Sequence, residues 1–214
     1  MGHRLHYYYE ATVGAGLPII NTIKGLKNSG DEVTKIQGIL SGTISYLFNN
    51  LSAERSFSHV IREAYDKGYT EPDPRDDLNG MDVARKLLTL AREIGLAMEL
   101  EDVAVESLLP SGLANTSLEK FWEVLPQFDQ DMERRRREAE AEGMALRYLA
   151  KLENNQCQVS IQKIPFNHPI AQSGATDNII QISTKRYVES PLTIQGPGAG
   201  VEVTAGGVFA DIIS

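Results

Sequence analysis

The chain is poor in cysteine, in paired histidines, in positive charge and in long apolar runs, and each shortage removes a class of function. One cysteine, Cys157, in 214 residues rules out an internal disulfide framework and suits a reducing compartment, the cytoplasm, with an inert thiol on a strand. The four histidines, His3, His6, His59 and His168, show no ligand spacing with that cysteine, so metal catalysis is not indicated. Lys and Arg number 21 against 29 Asp and Glu, a net charge of −8. That sign opposes phosphate binding, and no nucleic-acid partner is expected. No stretch approaches the roughly 18 apolar residues of a membrane helix, and the opening Met1-Gly-His-Arg-Leu-His lacks the apolar run of a signal peptide. No membrane partner is expected.

A dinucleotide fingerprint is missing as well. It needs a strand, then Gly-x-Gly-x-x-Gly opening a helix, and an acidic residue about 20 positions on. Val13-Gly-Ala-Gly-Leu-Pro18 offers two of those glycines, runs into Pro18 and follows no hydrophobic parallel strand, so it reads as a turn into a helix. Gly196 to Gly200 is open to two readings: a tight strand-to-helix turn, or a backbone that approaches a phosphate or nicotinamide.

What is present suits one globular unit. With 42% apolar residues, a chain of this length can bury one ordinary core. Apolar periodicity and caps such as Ser56 and Asn79 place helices at 18–29, 42–51, 57–67, 80–95, 117–125 and 129–142, with a last one from about Val201. Alternation places strands at 6–11, 32–40, 101–108, 144–153, 156–164, 178–187 and 191–195. Without a strict βαβ repeat, the expectation is an α+β fold in which a mixed β-sheet is layered with helices. Phe121 and Trp122 read as core anchors. Arg134-Arg-Arg-Arg137, flanked by Asp131, Glu133, Glu138, Glu140 and Glu142, reads as a solvated helix laced by i, i+4 pairs.

The densest chemistry lies between residues 68 and 86. Pro72 and Pro74 bias Glu71 and Asp73 toward extended backbone, so 68–76 is expected to be a rigid loop. A helix follows, with Val83, Leu87, Leu90 and Ile94 as its buried stripe. Asp82 and Lys86 stand four apart on a face bordering that stripe. Taken alone they are a surface pair contributing about 0.3–0.5 kcal/mol. Beside Glu71, Asp73, Asp76 and Asp77 they take on another meaning, because crowded carboxylates need a cation or ammonium among them. Such a cluster with one lysine suits a substrate that carries an ammonium group and exchanges a proton elsewhere.

At this point the sequence resembles a known family. Glu71-Pro-Asp-Pro-Arg-Asp-Asp-Leu-Asn-Gly-Met-Asp-Val-Ala-Arg-Lys86 is similar to the signature of homoserine dehydrogenase, and three other blocks agree in the same order. They are Tyr9-Glu-Ala-Thr-Val-Gly-Ala-Gly-Leu-Pro18, Gly38-Ile-Leu-Ser-Gly-Thr-Ile-Ser-Tyr-Leu-Phe-Asn49 and Gln195-Gly-Pro-Gly-Ala-Gly-Val-Glu-Val-Thr-Ala205. The resemblance implies NADPH- or NADH-dependent interconversion of L-aspartate 4-semialdehyde and L-homoserine, in threonine, methionine and isoleucine biosynthesis. It implies that Glu71 and Asp77 hold the substrate's ammonium and hydroxyl, helped by Gly42, Thr43 and Tyr69. Lys86 would serve proton transfer, oriented by Asp82. Gly200 would contribute to the cofactor site, and the backbone carbonyls of Glu10, Val13, Ala15 and Leu17 would hold a monovalent cation such as sodium.

The family's hydride donor sits on a separate N-terminal nucleotide-binding domain, together with a second lysine, and no segment here matches it. Residues 1–214 are therefore expected to form a single domain for substrate binding, catalysis and dimerisation, and the partner is a second copy in a homodimer. Two readings stand. One is this part of a homoserine dehydrogenase, weakly active or inactive alone; the other is a non-catalytic relative that binds an amino acid or mediates assembly.

Overall fold

Alternation along six strands builds one sheet that positions everything else. The structure, a computed structural model, describes residues 7–174 and 176–213. His3, His6 and the first residue of the strand expected at 6–11 lie outside the described residues. Strands β1 (Val33–Ile39), β2 (Val103–Val105), β3 (Met144–Glu153), β4 (Gln156–Pro165), β5 (Asp177–Thr184) and β6 (Leu192–Pro197) take the order β2-β4-β3-β1-β5-β6. Neighbours are antiparallel except β2 with β4, which is parallel. The mixed sheet of an α+β fold is thus formed as expected.

Successive side chains of a strand point to opposite faces, and here the two faces bury different partners. Ile36, Leu146, Tyr148, Ala150, Leu152, Ile180 and Ile182 enter the main core, whereas Ile39, Leu149, Ile164 and Ile179 meet Ile170 and Ala171 in a smaller cluster. Helices α1 (Ile19–Asn28), α2 (Gly42–Asn50), α5 (Met81–Glu93) and α7 (Asp129–Ala141) pack on the strands from the side of the main core. Further helices are α3 (Phe57–Asp66), α4 (Arg75–Leu78), α6 (Leu118–Val124) and α8 (Val201–Ile213). Within α5, Val83, Ala84, Leu87, Leu90 and Ala91 are buried, and each large aliphatic among them contributes about 1.5–3 kcal/mol. Serine hydroxyls accept from the third residue on at three helix starts: Ser41 from Ile44 N, Ser56 from His59 N and Ser117 from Lys120 N.

Four local expectations are corrected. The 6–11 strand is absent over its described part: Glu10–Thr12 form a 3₁₀ turn in which the Thr12 hydroxyl donates to the Tyr9 carbonyl at 2.7 Å, a local bond that competes with strand pairing. Only Val103–Val105 of the 101–108 segment form a strand, after a 3₁₀ turn at Leu100–Asp102. The rigid loop at 68–76 ends in helix α4, because Pro74 already holds helical angles (φ −63°, ψ −13°) and starts the turn. Asn79 is not the residue next to α5. Gly80, at φ +75°, takes that place, and the Asn79 side chain accepts from Met81 N at 2.7 Å. A side chain on Gly80 would also strike the Tyr148 hydroxyl, since a Cβ there lies 2.2 Å from it.

The arginine run sits on α7 with its pairs as expected, Arg134 to Asp131 and Glu138, Arg136 to Glu133 and Glu140, Arg137 to Glu133. Arg135 departs from the pattern and reaches Glu106 at 2.9 Å. Phe121 is fully buried, and Trp122 stacks edge-on to it under the Arg62 guanidinium. Cys157 lies buried in β4, where desolvation pushes its thiol up to about 11.

Gly38 is the narrowest point between β1 and β5: a Cβ there would lie 2.2 Å from the Ile179 carbonyl oxygen. Gly38→Ala is expected to destabilise the protein by about 1–3 kcal/mol through overpacking. Urea unfolding tests this, and an unchanged midpoint would show that the two strands part without cost.

Candidate active site

The site assembles where β1 ends. After Ile39 the chain leaves the sheet, and Leu40 lies just ahead of Ser41, the residue that caps α2. With no ladder beyond Ile39, the Leu40 carbonyl is open to another donor. Lys86, on the second turn of α5, takes it: Nζ donates to the Leu40 oxygen at 3.0 Å and meets Asp82 Oδ2 at 2.7 Å. The lysine side chain is 22% exposed and the aspartate 58%, so Lys86 is largely covered while Asp82 stands open to solvent. The i, i+4 spacing is therefore realised as a contact, and a backbone oxygen supplies the third point.

The loop between α3 and α5 carries the acidic residues. Gly68, at φ +69°, ends α3, and Tyr69 N donates back to the Ala64 carbonyl at 2.9 Å. Thr43, on the first turn of α2, donates its hydroxyl to the Tyr69 carbonyl at 2.6 Å. Two residues on, Glu71 N donates to Asp77 Oδ2 at 2.8 Å, while the Glu71 carboxylate is left exposed. Gly42 begins α2 against the Thr176 carbonyl, which lies 3.1 Å from where a Cβ would sit. Contacts thus link Thr43 to Tyr69, Glu71 to Asp77 and Asp82 to Lys86, and Asp77 feels the charges of Glu71 and Asp82, with Gly42 next to Thr43 in the chain.

The crowded carboxylates are resolved individually. Asp73 turns away from the site into the Arg75 guanidinium, with contacts of 2.8, 3.0 and 2.5 Å. Arg75 in turn donates to the Thr116 and Leu113 carbonyls at 2.6 and 3.3 Å, pinning the loop to the segment before α6. Its guanidinium holds the Asp73 carboxyl below the ordinary aspartate range. Asp77 moves the other way. Burial pushes its carboxyl above the ordinary value of 3.8, and the charges of Glu71 and Asp82 add to the rise, against the bonds from Glu71 N and Thr43. A half-buried carboxylate flanked by two others is short of positive charge, and an ammonium group placed among the three would relieve all of them.

Gly200 and the candidate cation residues form a second group. Gly200, at φ +129°, opens α8, and its carbonyl accepts from Thr204. The 10–17 turn packs on that helix: a Cβ on Gly16 would lie 2.3 Å from the Val203 oxygen, and one on Gly207 would lie 3.0 Å from the Ala15 oxygen. Glu10 N donates to Asp211 at 2.9 Å. The Glu10 carboxylate is 4% exposed and accepts from Ile20 N and Asn21 N at 2.7 and 2.8 Å. It caps α1, whose own cap position is Pro18 and has no donor or acceptor side chain. Only carbonyls of Glu10, Val13, Ala15 and Leu17 remain for a cation. Two successive left-handed residues, Gly14 (φ +78°) and Ala15 (φ +54°), bend the chain around them. Two of the four carbonyls are already engaged, since the Leu17 oxygen accepts from Ile19 N at 2.8 Å and the Glu10 oxygen from Val13 N at 3.5 Å.

Known proteins decide the family. The family model described as homoserine dehydrogenase matches residues 18–213. The chain belongs to the homoserine dehydrogenase family. It is 56% identical to a chloroplastic bifunctional aspartokinase/homoserine dehydrogenase from Zea mays, over 97% of this chain and 23% of that protein. A Candida auris protein of unknown function, known from its crystal structure, is 48% identical with a TM-score of 0.93, over 96% of this chain and 60% of that one. A hyperthermophilic archaeal homoserine dehydrogenase, solved in complex with NADPH, shares the fold at 23% identity and a TM-score of 0.69, over 96% of this chain and 54% of that one. The chain therefore spans about a quarter to three fifths of the length of these relatives. Among the described residues no helix is long and apolar enough to cross a membrane.

Reading side chains alone missed two parts of the site, the Leu40 carbonyl and the Arg75 clamp. The first leaves no trace in residue type. The second was visible as an Asp-Pro-Arg triplet whose ends face each other across one proline.

The raised carboxyl of Asp77 carries a pH signature. The folded state holds this proton more tightly than the unfolded chain, so the group favours folding in acid and that contribution is lost as pH rises through the folded value. Asp77→Asn keeps an acceptor and removes the charge. It is expected to raise unfolding free energy near pH 7, with the gain vanishing below about pH 3.8. Chemical denaturation across this range checks it, and a gain of equal size at every pH would exclude the desolvation argument.

Proposed function

We propose that this chain supplies the amino-acid and proton-transfer half of a homoserine dehydrogenase, which interconverts L-aspartate 4-semialdehyde and L-homoserine. The observation that carries this reading is the Lys86 ammonium held between the Leu40 carbonyl and Asp82, whose charge also acts on the half-buried Asp77. A nicotinamide, NADPH or NADH, supplies or accepts the hydride when bound. Gly200 at the head of α8 offers backbone to it, and the remainder of its site belongs to a nucleotide-binding domain outside residues 1–214. Under this reading those residues are one substrate-binding and dimerisation domain.

The residues here do the rest. Reduction of an aldehyde builds negative charge on oxygen, which an ammonium stabilises and then protonates; oxidation of the alcohol needs the same amine to take the proton back. Lys86 fills that role, and its two fixed partners keep Nζ from swinging with solvent. Asp82 orients it. Glu71 and Asp77 take the substrate ammonium and hydroxyl, and the carbonyl of Tyr69, tied to Thr43, fixes their loop. Gly42 leaves room at the start of α2. A sodium-like cation in the carbonyl turn of Glu10, Val13, Ala15 and Leu17 would stiffen the packing of that turn on α8. A homodimer in a reducing compartment, the cytoplasm, completes the proposal, and the buried free thiol of Cys157 suits such a compartment.

Joined to a nucleotide-binding half, Lys86→Ala is expected to lower kcat by about 10² to 10⁴, the usual loss on removing a general acid–base. Glu71→Gln is expected mainly to raise KM, by about 10- to 100-fold, as a charge-assisted bond is lost. Steady-state kinetics distinguish the two; equal effects on kcat and KM from Lys86→Ala, with none from Glu71→Gln, would overturn the assignment. Calorimetric titration of the chain itself with L-homoserine should give weak heat that Glu71→Gln abolishes. Light scattering at micromolar concentration should give twice the chain mass, and a single-chain mass would remove the homodimer.

A further inference from the structure

Tyr69 enters the site through its carbonyl and its place in the loop, but its ring is 46% exposed and needs a support to have a defined position. That support is Tyr46, one turn beyond Thr43 on α2. The two tyrosine rings meet edge to face, with centroids 5.1 Å apart and planes at 73°. α2 thus grips residue 69 twice, by the Thr43 hydroxyl on its carbonyl and by the Tyr46 ring on its side chain. Tyr46 is itself 6% exposed and anchored by charge. Its hydroxyl donates to Glu63 at 2.9 Å and accepts from Lys67 Nζ at 3.0 Å, while Lys67 and Arg55 both pair with Glu63. Lys67 first, then Tyr46 and Arg55, hold the Glu63 carboxyl down at about 2, so the anchor persists across the working pH range.

We propose that Tyr46 is a positioning residue for substrate specificity, which acts through the Tyr69 ring to fix one wall of the amino-acid site. The inference rests on the reading of Tyr69 as part of that wall. An ordinary core tyrosine would need burial alone. Here an exposed ring lies against a buried one whose phenol is clamped by two cations and a carboxylate, and the same helix turn also holds the loop backbone.

The test is a double-substitution cycle on the enzyme joined to its nucleotide-binding half. Tyr46→Met fills similar volume without a ring and is expected to raise KM for L-homoserine about 3- to 10-fold, the usual range for an edge-to-face aromatic contact, with kcat within about threefold. Tyr46→Phe, which keeps the ring but loses the hydroxyl anchor, should raise KM less than Tyr46→Met does. Tyr46→Leu serves in place of Met should that variant melt below assay temperature. In a Tyr69→Leu background the Tyr46→Met effect should disappear, since nothing is left to position. The same rise in both backgrounds would mean that Tyr46 acts on stability alone and would overturn the inference. A raised KM in Tyr69→Leu without one in Tyr46→Met would overturn it while leaving the role of Tyr69 intact. A parent-like KM in Tyr69→Leu would remove that role and the inference together, and the Lys86 and Glu71 variants report on the wider reading independently.

Discussion

One ammonium group joins the sheet to the helical layer at the point where the chemistry sits. Lys86 reaches from α5 to a carbonyl that β1 leaves unpaired on its way into α2, and Asp82 one turn earlier balances it. Three elements must be in register for that contact. β1 must end where it does, α2 must begin three residues later under the Ser41 cap, and α5 must be rotated so that its polar edge faces the gap. The buried stripe of α5 fixes that rotation, since Val83, Ala84, Leu87, Leu90 and Ala91 leave the helix one way to lie. Packing thereby sets the position of an ionised group to within a hydrogen bond, and function inherits its precision from the core.

The acidic loop shows how a protein can hold many like charges near one another. Asp73 is neutralised by Arg75 and faces away, Asp82 has Lys86, and Asp77 bears the remaining cost as a raised carboxyl. The loop is shaped less by its prolines than by these bonds. A short helix begins at Pro74, and the Arg75 clamp draws the loop toward Thr116, so that the Glu71 carboxylate projects while its neighbours are restrained.

Much of this was legible in the sequence, for physical reasons that differ by element. Strand β4 alternates over much of its ten residues, and helices α2 and α3 carry both serine caps and buried stripes; local pattern and tertiary demand agree there. Legibility failed where a bond from elsewhere decided the backbone. Residues 6–11 alternate like a strand, yet Glu10 is drawn to the amides of α1 twelve positions or fewer along the chain, and its segment curls into a turn. β2 is confined to Val103–Val105 because a 3₁₀ turn at Leu100–Asp102 runs straight into it. In the site, the charged residues were readable from type and spacing. The Leu40 carbonyl and the Tyr46 support were not, since a backbone oxygen has no letter and a buried tyrosine looks like any other core residue.

The contact between Glu10 N and Asp211, with Gly16 against Val203 and Gly207 against Ala15, brings the early and late parts of this unit side by side. A polypeptide running in through residue 10 and out past residue 211 enters and leaves at one place. A unit with adjacent gates can be spliced into the surface of another fold without stretching either, as domain insertions require. The glycines at that junction are then more than packing aids. They let the early and late segments of this unit lie in direct contact.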